Sequence, residues 1–324
     1  MAEARQDLEF WKKPQSKDVV MITGFRQWAD AGSVSSALPE YLIQQSHAEP
    51  IGRIRPEGFY LFQVPGTHDL MRPVVRHIEG YPETLQLQRN DFYMTGDDER
   101  SVILFTGDEP HMDVERYVAA LLGAARTLGV RRIVGLGGVY GELPYDKERI
   151  VSATYSLPIM KEELSHLAVT FSDYQGGASI DSVIARRAGD SGMEFTGLYA
   201  FVPAYDFSLV SESGNTIRIE NDYTAWLGVM RRVNYYLRVN FDLLDLEKKS
   251  RHLTDLVRKK IDELDLSAPQ LGVRDYIRKL SEEFHEVPFN PLDEVWDEEL
   301  KRLLNKFDDD EGEGDEDPGQ KDEP

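Results

Sequence analysis

The chain has 324 residues, 41% hydrophobic and 29% charged, with no cysteine and a formal net charge of −21. That is globular usage, enough for one large domain or two smaller ones. It excludes disulfide staples, thiol nucleophiles and zinc–thiolate or iron–sulfur sites, and the acidic balance opposes nucleic acid as a partner.

Part of the acidity is local: Asp308–Pro324 holds ten acids and one lysine, a charge of −9, which leaves −12 for the rest. No apolar run approaches the roughly 18 residues of a membrane span; the longest, Ile133–Tyr140, is short and glycine-rich. Residues 1–14 mix Glu3, Arg5, Asp7, Glu9, Lys12 and Lys13 and have no signal-peptide core. A soluble, cytoplasmic protein is expected, with no membrane partner.

In chain order, the first buried strand is Val19–Thr23, ending at Gly24. Further strands are expected at Phe59–Val64 and Leu85–Met94. A second strongly buried strand, Val102–Phe105, stops at Thr106-Gly107-Asp108. Then apolar residues at Val114, Tyr117, Val118, Leu121, Leu122, Ala125 and Leu128 mark one face of a helix, with Asp113 placed to cap its start and Gly129 its end. A third buried strand, Ile133, Val134 and Leu136, enters Gly137-Gly138. Near-continuous apolar strands belong to a sheet covered on both faces, and strand–helix–strand with short joints is a right-handed βαβ unit. Strands at Ala168–Asp173 and Met193–Val202 and a helix at Ile180–Ala188 follow, and Tyr205–Asp222 reads as a loop or exposed hairpin.

From Tyr223 the pattern is helical only. Trp226, Val229, Met230, Val233, Leu237 and Leu244 share a face, and Leu246, Leu253, Val257, Ile261 and Leu264 continue at near-heptad steps. Ser267-Ala268-Pro269 interrupts, and Tyr276, Ile277 and Leu280 resume the pattern before a last short helix ending near Phe307. The expected organisation is an α/β core over 17–222, a helical extension over 223–307 whose first helix (223–245) packs on the core, and a disordered acidic tail over 308–324.

Four strand-end segments are candidates for chemistry. Gly24-Phe25-Arg26-Gln27-Trp28-Ala29-Asp30-Ala31-Gly32-Ser33 follows a buried strand and leads to a helix, where ligands of open α/β sheets bind and where free N–H groups favour an anion. The structural alternative is a tight turn in which Trp28 packs and Asp30 caps the helix. Pro39 demands a kink or a late helix start. Asp108 and Glu109 offer paired carboxylates for acid–base work or a cation, or else a solvated turn stopped by Pro110. Gly135–Pro144 fails the dinucleotide fingerprint at Tyr140 and reads as a loop requiring close backbone approach. Tyr174–Ser179 is the fourth, with Ser179 a helix cap. No GxxxxGK[ST], HExxH or GxSxG occurs. No catalytic residue, metal site or cofactor is therefore assigned.

The ordered set Gly24-Phe25-x-x-Trp28-x-Asp30-Ala31-Gly32, Gly135-x-Gly137-Gly138-x-Tyr140-Gly141-Glu142-x-Pro144, the Tyr174 glycine loop and Val202-Pro203-x-Tyr205 resembles the PAC2 family of proteasome-assembly-chaperone-like proteins, over about residues 17–245. The helical extension resembles that of actinobacterial-type members. The resemblance implies a three-layer α/β core with a largely parallel or mixed sheet, similar to the nucleoside phosphorylase/hydrolase-like fold. It also implies self-association and a protein-binding role in members that assist 20S proteasome assembly. Archaeal-type members dock through a C-terminal hydrophobic–Tyr–any tripeptide, whereas this sequence ends Lys321-Asp322-Glu323-Pro324. Many relatives have His where this chain has Ala204, and His-Thr where it has Tyr145-Asp146.

The leading expectation is a non-enzymatic, homo-oligomeric interaction factor of assembly-chaperone type, a trimer at first guess, with proteasome-related or other protein partners. The alternative is a binder or enzyme for a nucleoside- or carboxylate-type ligand. Its candidate rim is Gly24, Trp28, Asp30 and Gly32, with Asp108 and Glu109, with Gly137, Gly138 and Glu142, and with Gly176 and Gly177. A third reading makes the acidic tail a binding element for a basic partner rather than a solubilising segment.

Overall fold

The computed structural model of the chain describes residues 7–26, 28–63, 72–206, 216–287 and 289. Its elements begin with β1 (Leu8–Phe10), β2 (Asp18–Arg26), α1 (Ala37–Gln45) and β3 (Glu49–Ile54). A hairpin of β4 (Val74–Ile78) and β5 (Tyr81–Gln86) precedes β6 (Asn90–Gly96), β7 (Arg100–Asp108), α2 (Val114–Thr127) and β8 (Val130–Gly141). Then come β9 (Val151–Tyr155), α3 (Met160–Ser165), β10 (Thr170–Phe171), α4 (Ile180–Asp190), β11 (Glu194–Asp206) and β12 (Thr216–Arg218). Three helices follow, α5 (Tyr223–Leu237), α6 (Leu244–Ser267) and α7 (Val273–Glu283). The chain divides into two units, Met1–Val287 and Pro288–Pro324, and all these elements belong to the first.

The main sheet runs β1-β3-β6-β7-β2-β8-β11-β9-β10, with β12 paired to β11. Its centre, β7-β2-β8-β11, is parallel, with Ile22 opposite Leu104 and Val134. β3, β6 and β9 join antiparallel neighbours. The apolar run of β2 fits because both faces are covered. Met21 and Phe25 join Ile103, Phe105 and Ile133 in a core beneath α2 and α4. The alternate residues Val20 and Ile22 are fully buried on the opposite face, where α1 and α5 pack; α6 lies against α5 and α7 against α6. The result is a helix–sheet–helix body with a mixed sheet, the expected architecture.

Several local expectations are corrected. Phe59–Val64 is not a strand. Phe59 is a buried turn residue set edge-on to Tyr117 at 5.2 Å, and its carbonyl accepts from the His111 and Met112 amides; Val64 lies outside the described residues. Leu85–Met94 is split, because Leu85 belongs to the separate β4–β5 hairpin while Arg89 turns aside to donate its amide to Asp108. Asp113 does start α2, but from a left-handed backbone (φ 55°) and without a side-chain cap; its carboxylate pairs with Arg116 instead. Gly137–Gly141 is strand rather than loop. The helix expected over 223–245 ends at Leu237, where Arg238 turns left-handed and the Asn234 amide bonds both backbone groups of Phe241 to reverse the chain. The last helix toward Phe307 and the acidic tail lie outside the described residues.

Candidate functional site

The turn after β2 is built on close backbone approach. A Cβ at Gly24 would collide with the Ser35 carbonyl, and one at Gly138 with the Ala31 carbonyl. The Gly138 amide donates to Ala29 O at 2.7 Å, and Asp30 bridges Gly138 as a parallel partner. Asp30 Oδ1 accepts from the Ser35 and Ser36 amides at 3.0 and 2.9 Å. Burial raises its pKa against those bonds. Gly32 adopts φ +62°, and its carbonyl accepts from the Asp222 amide and the Trp226 indole. The glycines thus seat a turn on the sheet, and the Asp30 carboxylate takes the free N–H groups that lead into α1. Pro39 is the third residue of α1, where its missing N–H has no intrahelical partner to lose, so the helix starts late rather than kinking.

Asp108 is neither a solvated turn residue nor a free acid. It is buried at the end of β7, and its two oxygens accept from Arg26 Nε and Nη2 at 2.6 and 2.7 Å, with the Arg89 amide at 2.9 Å. Glu109 Oε1 accepts from the Ile180 amide at 2.9 Å and so occupies the positive start of α4. Burial raises its pKa, and that bond opposes the shift. Beneath it Asp181, 4% exposed, faces Gly135 with Oδ1 lacking a hydrogen-bond partner. Burial, then the charge of Glu109, pushes its pKa well above the ordinary carboxyl value.

Between the turn and α4 lies a cavity of about 670 Å³. Its apolar wall is aromatic: Trp28, Tyr140, Tyr174, Tyr199 and Phe201. Its polar lining is Asp30 together with hydroxyls from Ser152 and Thr154 on β9, Ser172 after β10, and Ser179 and Ser182 at the start of α4. Glycine makes the room, since the Tyr199 ring lies where side chains at Gly137 and Gly197 would be. Ser179 caps α4 as expected, accepting from the Ser182 amide at 3.3 Å.

Of the residues singled out from sequence, Trp28, Asp30, Gly138 and Gly177 line this cavity. Gly137 lies under Tyr199, and Gly176 beside the Tyr174 hydroxyl. Gly24 and Gly32 belong to the packing of the turn, and Asp108 and Glu109 are committed to Arg26 and α4. Glu142 lies past β8, where its charge adds to burial in raising the pKa of Tyr276. Thr154, Ser152, Tyr199 and Phe201 were not anticipated. The first two sit on a strand that was itself missed; the others are in an expected strand whose largely apolar run, 195–202, does not announce a cavity. Among the described residues no three His, Asp or Glu side chains form a metal-binding group, and no helix is long and apolar enough to cross a membrane.

The model of the PAC2 family matches residues 24–261. Among solved structures, the chain is similar to a proteasome-assembly chaperone homologue from Mycobacterium tuberculosis, with 24% identity and a TM-score of 0.64, covering 74% of this chain and 94% of that one. It is also similar to a PAC2 family protein from Streptomyces avermitilis, with 23% identity, a TM-score of 0.65, and coverage of 80% and 99%. An archaeal proteasome activator from Pyrococcus furiosus aligns at 18% identity and a TM-score of 0.57, covering 78% and 97%. These likenesses establish a shared fold. No curated protein matches the sequence.

Proposed function

The chain belongs to the PAC2 family, and on that premise we propose that it is a cytoplasmic, non-enzymatic protein-interaction factor of assembly-chaperone type that works as a homo-oligomer, a trimer. The observation that carries this reading is the β4–β5 hairpin. It pairs with no other strand of the described residues, and a lone two-stranded hairpin is marginal in water. Yet it exposes Val74, Val75, Ile78, Leu85 and Tyr81, the last at 73%. Apolar side chains gathered on a protruding element mark a surface that a protein partner covers.

The occupant proposed is a second copy of this chain. The hairpin, Val74–Gln86, carries one Arg and two Glu, with Arg76 paired to Glu83, so its exposed apolar residues can meet their equivalents on another copy with no cluster of like charge between them. The names of the solved relatives support a role in proteasome assembly or activation as the wider process. The commitment of Asp108 and Glu109 to structural bonds supports a non-enzymatic reading of that rim.

Sedimentation of the full chain tests this. The expected species is a trimer of 37.0 kDa subunits, and a Tyr81→Ser/Leu85→Ser variant with unchanged circular dichroism is expected to dissociate. A monomeric wild type at micromolar concentration, or a double variant that stays assembled, would overturn the assignment.

A further inference from the structure

We infer that the cavity between Trp28 and α4 is a binding site for an uncharged aromatic ring joined to a polyhydroxylated sugar, the chemistry shared by nucleosides and aryl glycosides. The inference goes beyond the interaction role and does not depend on it.

Three observations converge. First, the mouth is made of exposed rings, Trp28 at 54%, Tyr140 at 47% and Tyr174 at 70%. Aromatic faces left in water beside a cavity of about 670 Å³ are suited to stack on a planar ring. Second, the interior ends in hydroxyls, which both donate and accept and therefore match sugar hydroxyls. Two of these, Thr154 Oγ1 and Tyr199 Oη, are buried side by side without a well-aligned hydrogen bond, although such groups in native proteins are nearly always satisfied. The hydroxyls of Thr154, Ser179 and Ser182 lie close enough to Tyr199 to act on its ionisation, so the four form one loosely bonded cluster. A ligand hydroxyl reaching this cluster supplies what the protein leaves open.

Third, the site is built against anions. No lysine, arginine or histidine among the described residues lines it, and Asp30 does. Arg218 stands over the Tyr140 ring at 5.6 Å but is not part of the lining. The start of α4, which would otherwise attract a phosphate, is already held by the Glu109 carboxylate. The same wall thus sets aside nucleotides and carboxylates and leaves neutral ligands.

Titration calorimetry on the full chain tests this with adenosine, uridine, phenyl β-glucoside and adenosine monophosphate. At least one neutral probe is expected to bind with a Kd of about 1 mM or tighter, and the choice between nucleoside and glycoside identifies the source. Adenosine monophosphate is expected to bind at least about tenfold more weakly than adenosine, because of like charge at Asp30. Tyr199→Phe and Thr154→Val are each expected to weaken the neutral probe about three- to tenfold while leaving the melting temperature of the unliganded protein unchanged. Absence of binding by every neutral probe, preference for the monophosphate, or a hydroxyl-deleting variant that binds normally would each overturn the inference. So would marked destabilisation of either variant, which would show that the hydroxyl already has a structural partner.

Discussion

Removing Asp222 tests how the helical layer is held to the sheet. Its carboxylate is fully buried, accepting from Arg149 Nε at 2.8 Å and capping α5 through the Thr224 and Ala225 amides at 3.0 and 3.1 Å. In Asp222→Ala the Arg149 guanidinium, 1% exposed, keeps its charge and loses its counter-ion. Breaking a buried pair from one side costs about 3–5 kcal/mol, and losing a cap about 1 kcal/mol. Arg149 retains the carbonyls of Lys147 at 2.7 Å and Tyr145 at 3.0 Å, which places the ion-pair loss at the low end. The expected total is about 4 kcal/mol, read as a lowered urea midpoint at unchanged slope. Arg149→Met/Asp222→Asn, which leaves no unpaired charge, is expected to cost less than the sum of its single changes. A loss below about 1 kcal/mol for Asp222→Ala, or strict additivity in the double variant, would refute the reasoning.

Three other outcomes follow from geometry. Gly138→Ala drives a methyl into the Ala31 carbonyl and is expected to cost about 3 kcal/mol in urea unfolding; a neutral effect would mean that the turn does not sit on β8. Asp108→Asn loses a bidentate charge-assisted pair, but Arg26 is 37% exposed and regains water, so about 2 kcal/mol is expected; an unchanged melting temperature would contradict it. Asp181 holds its proton in the folded state above the ordinary value of 3.8. The folded chain therefore binds the extra proton, and stability falls as pH rises above that value, by about 1.4 kcal/mol per pH unit until Asp181 ionises in the folded protein. Asp181→Asn removes this slope; parallel stability–pH curves for variant and wild type would show that the carboxyl is not protonated.

The parallel centre of the fold was legible because β2, β7 and β8 are buried on both faces, and uninterrupted Val, Ile, Leu and Phe report that directly. Glycines at the carboxyl ends of β2 and β8 marked the turn that brings Trp28, Asp30 and Gly138 to one lining, since close backbone approach leaves only glycine there; Gly177 joins them from the loop before α4. What escaped depends on partners distant in sequence. β9 reads as an unremarkable segment until it pairs antiparallel with β11, which places Ser152 and Thr154 inside. Asp108 looks like a turn residue because its partner, Arg26, is 82 positions away. The β4–β5 hairpin rests on no core, so its apolar residues gave no burial period to follow. The break after Leu237 comes from one asparagine side chain, a local bond that the helical face pattern does not register.

The carbonyl of Gly32 receives two donors from the opening of α5, while Ala29 and Ala31 of the same turn press on β8. The mouth of the cavity and the outer helical layer therefore share a fastening. An inserted or deleted residue between Trp28 and Ser33 would have to be absorbed by strand and helix together, which makes the length of this segment the least negotiable parameter for anyone redesigning the entrance.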